Sequence, residues 1–243
     1  MGRKYTNPPV LEAICEFRFN RDTPWDTAIP GLLYEKLREE FPLREDRLVH
    51  EWDSEWYPTR TRGPIVKVPK VIFLSETKNF LVEVGRRQLA VHAIRPYPSW
   101  SAWKAQIMKA WENLCKVVEV KGFRRIGLRY VNKIEMPNFE GDLKRYFHFY
   151  PCFGECLPQN ILDFLLVVQY VYEEGRDRCV VSLGRPLKPN TFFLDIDYFV
   201  SQPDKVPVSD VPSWVEKAHC RVEEIFEGCI TDRLRQLFGP EDD

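Results

Sequence analysis

Residues 124–136, RRIGLRYVNKIEM, carry the clearest strand pattern in the chain. Read with a period of two, the segment has one apolar face and one positively charged face. Such alternation is typical of a β-strand that covers a core on one side only. The apolar face comprises Ile126, Leu128, Tyr130, Asn132 and Ile134, and the opposite face comprises Arg125, Gly127, Arg129, Val131 and Lys133. The segment is therefore predicted to be a strand with a buried face and a cationic face.

Other strands are predicted as well. Val10–Phe19 alternates most regularly, with a mostly charged second face. Further strands are predicted at 71–75, 79–84, 88–94, 161–172, 178–183 and 191–200. A turn at Gly175 joins the strands 161–172 and 178–183 into a hairpin. Residues 42–70 are predicted to form an irregular connection with one short strand, since prolines interrupt them, and residues 138–160 a folded loop.

Apolar residues at helical spacing predict three helices. The first begins near Pro30, which is tolerated only in the first turn of a helix. The second has Ser99 as its N-cap and a long apolar stripe of Trp100, Trp103, Ile107, Trp111, Leu114 and Val118. The third is predicted to be capped by Ser213, with Glu216 completing a capping box, and to run on to Phe238.

Two of these helices begin alike, with Pro98-Ser99-Trp100 and Pro212-Ser213-Trp214, and each follows about three short strands. The likeness favours either an internal duplication of a β-β-β-α unit, with halves 71–134 and 161–238, or convergence on a good helix start. In both cases the expected fold is α+β, a mainly antiparallel curved sheet with long amphipathic helices on one face. No linker is long or polar enough to divide the chain, so residues 1–243 are expected to form a single domain.

Composition limits the classes of function. The 243 residues include 35 basic and 36 acidic side chains, a net charge of −1, so a nucleic-acid role would depend on a local patch. The first residues lack the apolar run of a signal peptide, and the longest dense apolar stretch is too short to span a bilayer. Seven cysteines without a secretion signal are expected to be reduced thiols. The sequence thus predicts a soluble, cytoplasmic protein without a membrane partner.

The cationic face of residues 124–136 has two interpretations. In the first, its charges pair with carboxylates of neighbouring strands, and the face is structural. The candidate carboxylates are Glu12, Glu16, Asp195 and Asp197. In the second, the cations form a groove for an anion or a nucleic acid, built from Arg124, Arg125, Arg129 and Lys133. A strand that reads nucleic acid is expected to place aromatic platforms beside its cations. Tyr130 lies on the opposite face, which favours the structural interpretation.

Two groups of residues are weak candidates for metal ligands. Asp195 and Asp197 lie two apart on a predicted strand and could share Mg²⁺, as in a nucleotidyl or phosphoryl enzyme. A second group in the folded loop could hold zinc, although structural zinc needs a fourth ligand. That group is His148, Cys152 and Cys156. No nucleophile motif and no phosphate-binding glycine loop occurs, so no catalytic residue and no cofactor is predicted.

Four motifs are similar to those of a known family. They are Asn7-Pro8-Pro9 leading into EAICEFRF, then RIGLRYVNKI, LDIDY and ITDRLRQLF, in this order over nearly the whole chain. The chain resembles a sporadically distributed family of uncharacterised bacterial proteins. The resemblance implies no established activity and no catalytic residue set. It does imply an accessory gene moved between genomes, of the kind found in defence or toxin-related islands.

The leading hypothesis is a non-enzymatic binding protein, an adaptor or accessory subunit of another protein. Aromatic side chains anchor many interfaces, and a proline-punctuated, charged stretch contains three that are predicted to form a partner surface. These are Trp52, Trp56 and Tyr57. The alternatives are a nucleic-acid or nucleotide-binding protein that uses residues 124–133, and a metal-dependent enzyme centred on Asp195 and Asp197. The oligomeric state does not follow from the sequence.

Overall fold

The computed structural model of the protein describes residues 3–52, 65–152, 156–157, 161–186, 188 and 190–241. These residues form four α-helices and nine strands. The strands are β1 (Val10–Phe19), β2 (Leu43–Trp52), β3 (Ile65–Leu74), β4 (Phe80–Gly85), β5 (Gln88–Ile94), β6 (Phe123–Glu135), β7 (Phe164–Tyr172), β8 (Asp177–Arg185) and β9 (Thr191–Val200). The helices are α1 (Ile29–Leu37), α2 (Trp100–Cys115), α3 (Val211–Cys229) and α4 (Asp232–Phe238). None of the described helices combines the length and the apolar character needed to cross a membrane.

All nine strands belong to one open sheet in the order β2-β3-β4-β5-β1-β6-β9-β8-β7, and every neighbouring pair is antiparallel. The predicted α+β class and antiparallel sheet are therefore confirmed. β1 and β6 lie at the centre, and β2 and β7 form the two edges. The internal duplication stays a prediction, since strand order alone does not establish it.

One face of the sheet builds the core. Ala13, Cys15 and Phe17 of β1 are completely buried there, as are Ile126 and Leu128 of β6. Buried side chains of all four helices join the same cluster, so the helices and this face form one hydrophobic core. The opposite face, here called the open face, carries the charged residues of β1, β6 and β9. Alternation with a period of two separates the two faces because successive side chains of a strand point to opposite sides.

Helix α2 confirms the predicted N-cap. The Ser99 hydroxyl accepts a hydrogen bond from the backbone N–H of Ala102 at 3.2 Å, which satisfies one of the free donors of the first turn. Trp103, Ile107 and Leu114 are completely buried, as the apolar stripe predicted. The helix ends at Cys115, before Val118, the last residue of the predicted stripe, and well before Gly122, where the element was predicted to end.

The prediction for the third helix was wrong at its start and at its length. Helix α3 begins at Val211, with Pro212 in its first turn, where a missing N–H costs nothing. The Ser213 hydroxyl donates to the backbone carbonyl of Asp210 at 2.8 Å and caps no N–H. At Ile230 the backbone turns extended and bridges to Phe147, so residues 232–238 form the separate helix α4.

The prediction for residues 42–70 was also wrong. Strand β2 runs over Leu43–Trp52 and pairs with β3 along its whole length. Pro69 lies opposite Leu48 of β2 and outside the 71–74 part of β3 that pairs with β4, so its missing N–H removes no hydrogen bond to β4. The other strands, β4, β5, β7, β8 and β9, lie within three residues of their predicted bounds.

Candidate functional site

The centre of the open face is a ladder of ion pairs across β1, β6 and β9. One guanidinium nitrogen of Arg125, Nη2, donates to both carboxylate oxygens of Asp197 at 2.7 and 2.8 Å. Its Nε donates to Glu16 at 3.2 Å. Arg125 therefore connects acidic residues of the two strands on either side of its own, and it is three-quarters buried.

Gly127 makes this reach along the strand feasible. The residue of β6 that faces Asp197 directly is Arg129, so Arg125 has to extend along its own strand past position 127. A Cβ atom at Gly127 would lie 3.0 Å from Nη2 of Arg125 and 3.3 Å from its Nε, so the side chain lies flat over the glycine. The guanidinium also stacks on the Phe199 ring, with Cζ 4.2 Å from the ring centroid.

The other cations of β6 have acidic neighbours as well. Nε of Arg129 donates to both carboxylate oxygens of Asp195, at 2.9 and 3.1 Å. These hydrogen bonds raise the pKa of Arg129 above its usual range. Lys133 forms an ion pair of 3.0 Å with Glu135 of the same strand. Arg124 is exposed at the start of β6. The cationic face is thus largely neutralised by carboxylates, as the structural interpretation predicted.

Hydrogen bonds extend the ladder towards β3. Gln88 donates to Glu16 at 2.7 Å and accepts from Nζ of Lys70 at 2.8 Å, and Lys70 also contacts Glu83. Lys70 is only 3% exposed, so its ammonium is held by these partners inside the protein. A continuous polar network therefore crosses the open face from β3 to β9.

The pKa values of two carboxyl groups on this face are shifted in opposite directions. The hydrogen bond with His92, at 2.8 Å, lowers the pKa of Glu12 below its usual range. Burial raises the pKa of Asp197, although the charge of Arg125 opposes that shift. At the end of β6, hydrogen bonds from Lys188 and Lys133 lower the pKa of Glu135 to about 2. Hydrogen-bonded partners thus account for the lowered pKa values of Glu12 and Glu135, and burial accounts for the raised pKa of Asp197.

The geometry gives the two metal hypotheses little support. Asp195 and Asp197 are already held by Arg129 and Arg125, whose guanidinium groups stand where a cation would bind. Cys152 and Cys156 have exposed free thiols, and the backbone N–H of His148 donates to Cys229. Across the described residues, no three His, Cys, Asp or Glu side chains converge in an arrangement that could hold a metal ion.

His219 is a structural residue in the interior. It is 7% exposed, and its Nδ1 lies 3.1 Å from the Tyr130 hydroxyl while its Nε2 lies 3.2 Å from the Glu223 carboxylate. The imidazole ring stacks on Trp100 at 3.8 Å between ring centroids. Both ring nitrogens are therefore satisfied within the fold.

Gly127→Val is expected to lower the free energy of unfolding by about 1–2 kcal/mol, since the new side chain displaces Arg125 from Asp197 and leaves a poorly solvated carboxylate. Urea denaturation measures the change. Gly184→Val is the matched control, because Gly184 lies on the open face of β8 and its new Cβ would meet Leu165 at an ordinary 3.4 Å. Equal effects of the two substitutions would contradict the role assigned to Gly127.

The edge strand β7 is a feature that the sequence analysis did not single out. Its nine residues, FLLVVQYVY, include no charge, no proline and no glycine. In the described part of the chain only β8 pairs with it, so its outer N–H and C=O groups face away from the sheet. Leu165 and Val171 on the open face are 72% and 67% exposed, and Tyr170 on the other face is 41% exposed.

Natural sheets protect edge strands with charges, prolines or bulges, because a bare edge pairs with other chains. The opposite edge has such protection. In β2 the residues Arg44, Glu45, Asp46 and Arg47 are all charged and exposed. β7 has none of these devices, so the two edges of the same sheet differ sharply. A signal in the sequence was present: nine consecutive uncharged residues are unusual for a strand that is not covered on both faces.

Two cavities lie beside β7 on its helix side. One, of about 410 Å³, is lined by Leu162, Phe164 and Arg185 among others, at the start of the strand. The other, of about 270 Å³, is lined by Tyr170 and Tyr172 near its end. Phe164 and Tyr170 are six residues apart, about 20 Å along a strand. Because six is an even number, side chains from a paired strand could reach both cavities from one face.

The predicted partner surface lies largely outside the described residues. Trp56 and Tyr57 are not among them, and Trp52 is described only as the last residue of β2. The partner role of these three aromatic residues therefore stays a prediction.

No protein-family model matches the chain, and no curated protein matches it either. The resemblance to a sporadically distributed bacterial family stays a prediction.

Proposed function

We propose that the protein is a non-enzymatic cytoplasmic binding protein that serves as an adaptor or accessory subunit of another protein. In this proposal β7 is a surface at which the sheet pairs with a further polypeptide. The observation that carries it is the bare edge: nine uncharged residues with Leu165 and Val171 mostly exposed. An exposed, uncharged edge strand is the template that strand addition uses.

Strand addition suits the chemistry of this edge. The backbone N–H and C=O groups of β7 supply hydrogen bonds to any extended chain, and alternate side chains supply selectivity. The flanking cavities offer apolar and aromatic walls on the helix side. The absence of charge on β7 favours an equally uncharged segment, since a charged one would lose hydration without gaining an ion pair.

The two alternative functions have weaker support. A nucleic-acid groove needs cations that are available to phosphates, whereas Arg125 and Arg129 each hold a carboxylate. A metal-dependent enzyme needs acidic ligands that are available to the ion, whereas Asp197 and Asp195 are paired with these two arginines. A place in a mobile or anti-phage defence gene cluster rests on the family resemblance alone and stays part of the proposal.

Native mass spectrometry of the full chain, purified gently from its own host, tests this function. We expect a bound polypeptide on the wild-type protein and its loss when Leu165→Lys and Val171→Lys are combined. The control is Leu32→Lys, which puts the same charge on a 53%-exposed leucine of helix α1 and should leave binding unchanged. Added mass only from a nucleotide, an oligonucleotide or a metal, or a β7 variant that still binds every polypeptide bound by the wild-type protein, would overturn the proposal.

A further inference from the structure

We infer that the polypeptide that pairs with β7 is a second copy of this chain, joined antiparallel about a twofold axis at Val168. This inference rests on the proposed function, in which β7 is a surface for strand pairing, and it names the partner. The proposed adaptor would then be a homodimer with one continuous sheet. The charged edge β2 and the open face of each copy would stay accessible to a target.

The first support is the self-complementarity of β7. Two identical strands paired about Val168 place Leu165 opposite Val171 of the second copy, and Val167 opposite Gln169. Because the strand has no charge, none of the facing pairs within Phe164–Tyr172 brings like charges together, which is the usual obstacle to pairing of identical edges. A twofold contact uses the same patch on both partners, so every favourable pair off the axis occurs twice.

The second support comes from the positions of the cavities. On the helix side the same register places Tyr172 of the second copy opposite Phe164, beside the larger cavity. By symmetry, Phe164 of the second copy comes opposite Tyr172, beside the smaller cavity. One aromatic ring from the partner is therefore available to each cavity. Cross-strand aromatic pairs of this kind stabilise paired antiparallel strands.

The third support is the composition of β7 as a whole. A nearly continuous apolar run is typical of strands that are covered on both faces and paired on both edges. In the single chain, Leu165 and Val171 remain 72% and 67% exposed. Pairing with a second β7 sets these two residues against each other and gives the strand a partner on both sides. The second copy thus supplies the strand partner that the outer edge of β7 lacks in the described part of one chain.

The mass of the recombinant full chain in solution is the first measurement. Light scattering after size exclusion, over a range of concentrations, should give twice 28.8 kDa for the wild-type protein. A monomer at all concentrations would overturn the inference. If such a monomer, taken from its own host, carried a foreign polypeptide that the Leu165→Lys, Val171→Lys variant loses, the proposed function would stand and only the second copy would be wrong.

A pair of charge variants then tests the partner and the register together. Leu165→Lys with Val171→Lys places lysines opposite lysines in the dimer, and Leu165→Glu with Val171→Glu places glutamates opposite glutamates. Each variant alone should be monomeric, and an equimolar mixture should give a heterodimer, because all facing charges are then opposite. Both positions are mostly exposed in the single chain, so circular dichroism should show each variant folded.

Heterodimer formation in the mixture also separates loss of pairing from loss of folding. A variant that fails to fold cannot form a dimer with its counterpart. A folded variant that is kept monomeric by charge repulsion at β7 can. If either variant alone remains dimeric, the copies meet at another surface and the inference fails. If the mixture stays monomeric, pairing about Val168 is wrong.

Discussion

Trp103→Ala lowers the free energy of unfolding by about 3–5 kcal/mol, the usual cost of truncating a fully buried tryptophan. Trp103 is completely buried in α2. Its ring lies 5.5 Å from Tyr130 of the central strand β6 and 5.7 Å from Trp100. The substitution leaves a cavity between helix and sheet and removes these aromatic contacts. Since a domain is stable by only about 5–15 kcal/mol, the variant should be close to unfolding.

Urea denaturation followed by circular dichroism measures this effect. Trp100→Ala is the matched control, because Trp100 is in the same helix but is only partly buried and should lose less than about 2 kcal/mol. If both variants lost the same stability, Trp103 would not be the residue that anchors α2.

Arg125→Glu lowers the free energy of unfolding by about 2–4 kcal/mol. This is somewhat less than the usual cost of removing one partner of a fully buried ion pair, because partial solvent access reduces the effect. The substitution puts a third carboxylate beside Glu16 and Asp197, which are 16% and 25% exposed at their side chains. Burial already raises the pKa of Asp197, so that carboxylate depends on the neighbouring cation.

Chemical denaturation at neutral pH, with Arg124→Glu as control, provides the test. Arg124 is the adjacent residue of the same strand and is exposed, so reversing its charge should cost less than about 1 kcal/mol. If Arg125→Glu were as stable as the wild-type protein, the ladder would be an accessible cationic surface and a nucleic-acid function would regain support. If it is destabilised as expected, loss of binding in such a variant is not evidence for a binding groove.

The alternation of β1, β6 and β9 could be read from the sequence because it is local. Each of these strands covers the core with one face only, so apolar and charged residues alternate within the strand itself. β2 was not predicted, because its sequence lacks this alternation. It is an edge strand with charges on both faces, and no alternation remains to be detected. The start of α3 was misplaced because the hydroxyl of Ser213 has two roles open to it, and only the path of the backbone selects between them.

The sequence predicted that carboxylates of neighbouring strands pair with the cations of β6, but it did not predict which residues pair. The sequence identified Glu12, Glu16, Asp195 and Asp197 as the acidic candidates, since they share a strand face with few apolar residues. The particular pairs depend on which strands are neighbours. Arg125 and Asp197 are 72 residues apart, and only the order β1-β6-β9 brings them together. The path of Arg125 over Gly127 likewise depends on the register between β6 and β9.

By itself, the sequence determined the α+β class, the antiparallel sheet, most strand bounds and the apolar face of each central strand. These properties follow from the periodicity of side chains within a single segment. Only the tertiary structure decided that β7 lies at an edge, because edge and centre differ in what is paired on the far side of a strand. The same uncharged sequence is equally compatible with a buried central strand. Strand order is set by contacts between distant parts of the chain, and it converts an ordinary apolar segment into an exposed surface for pairing.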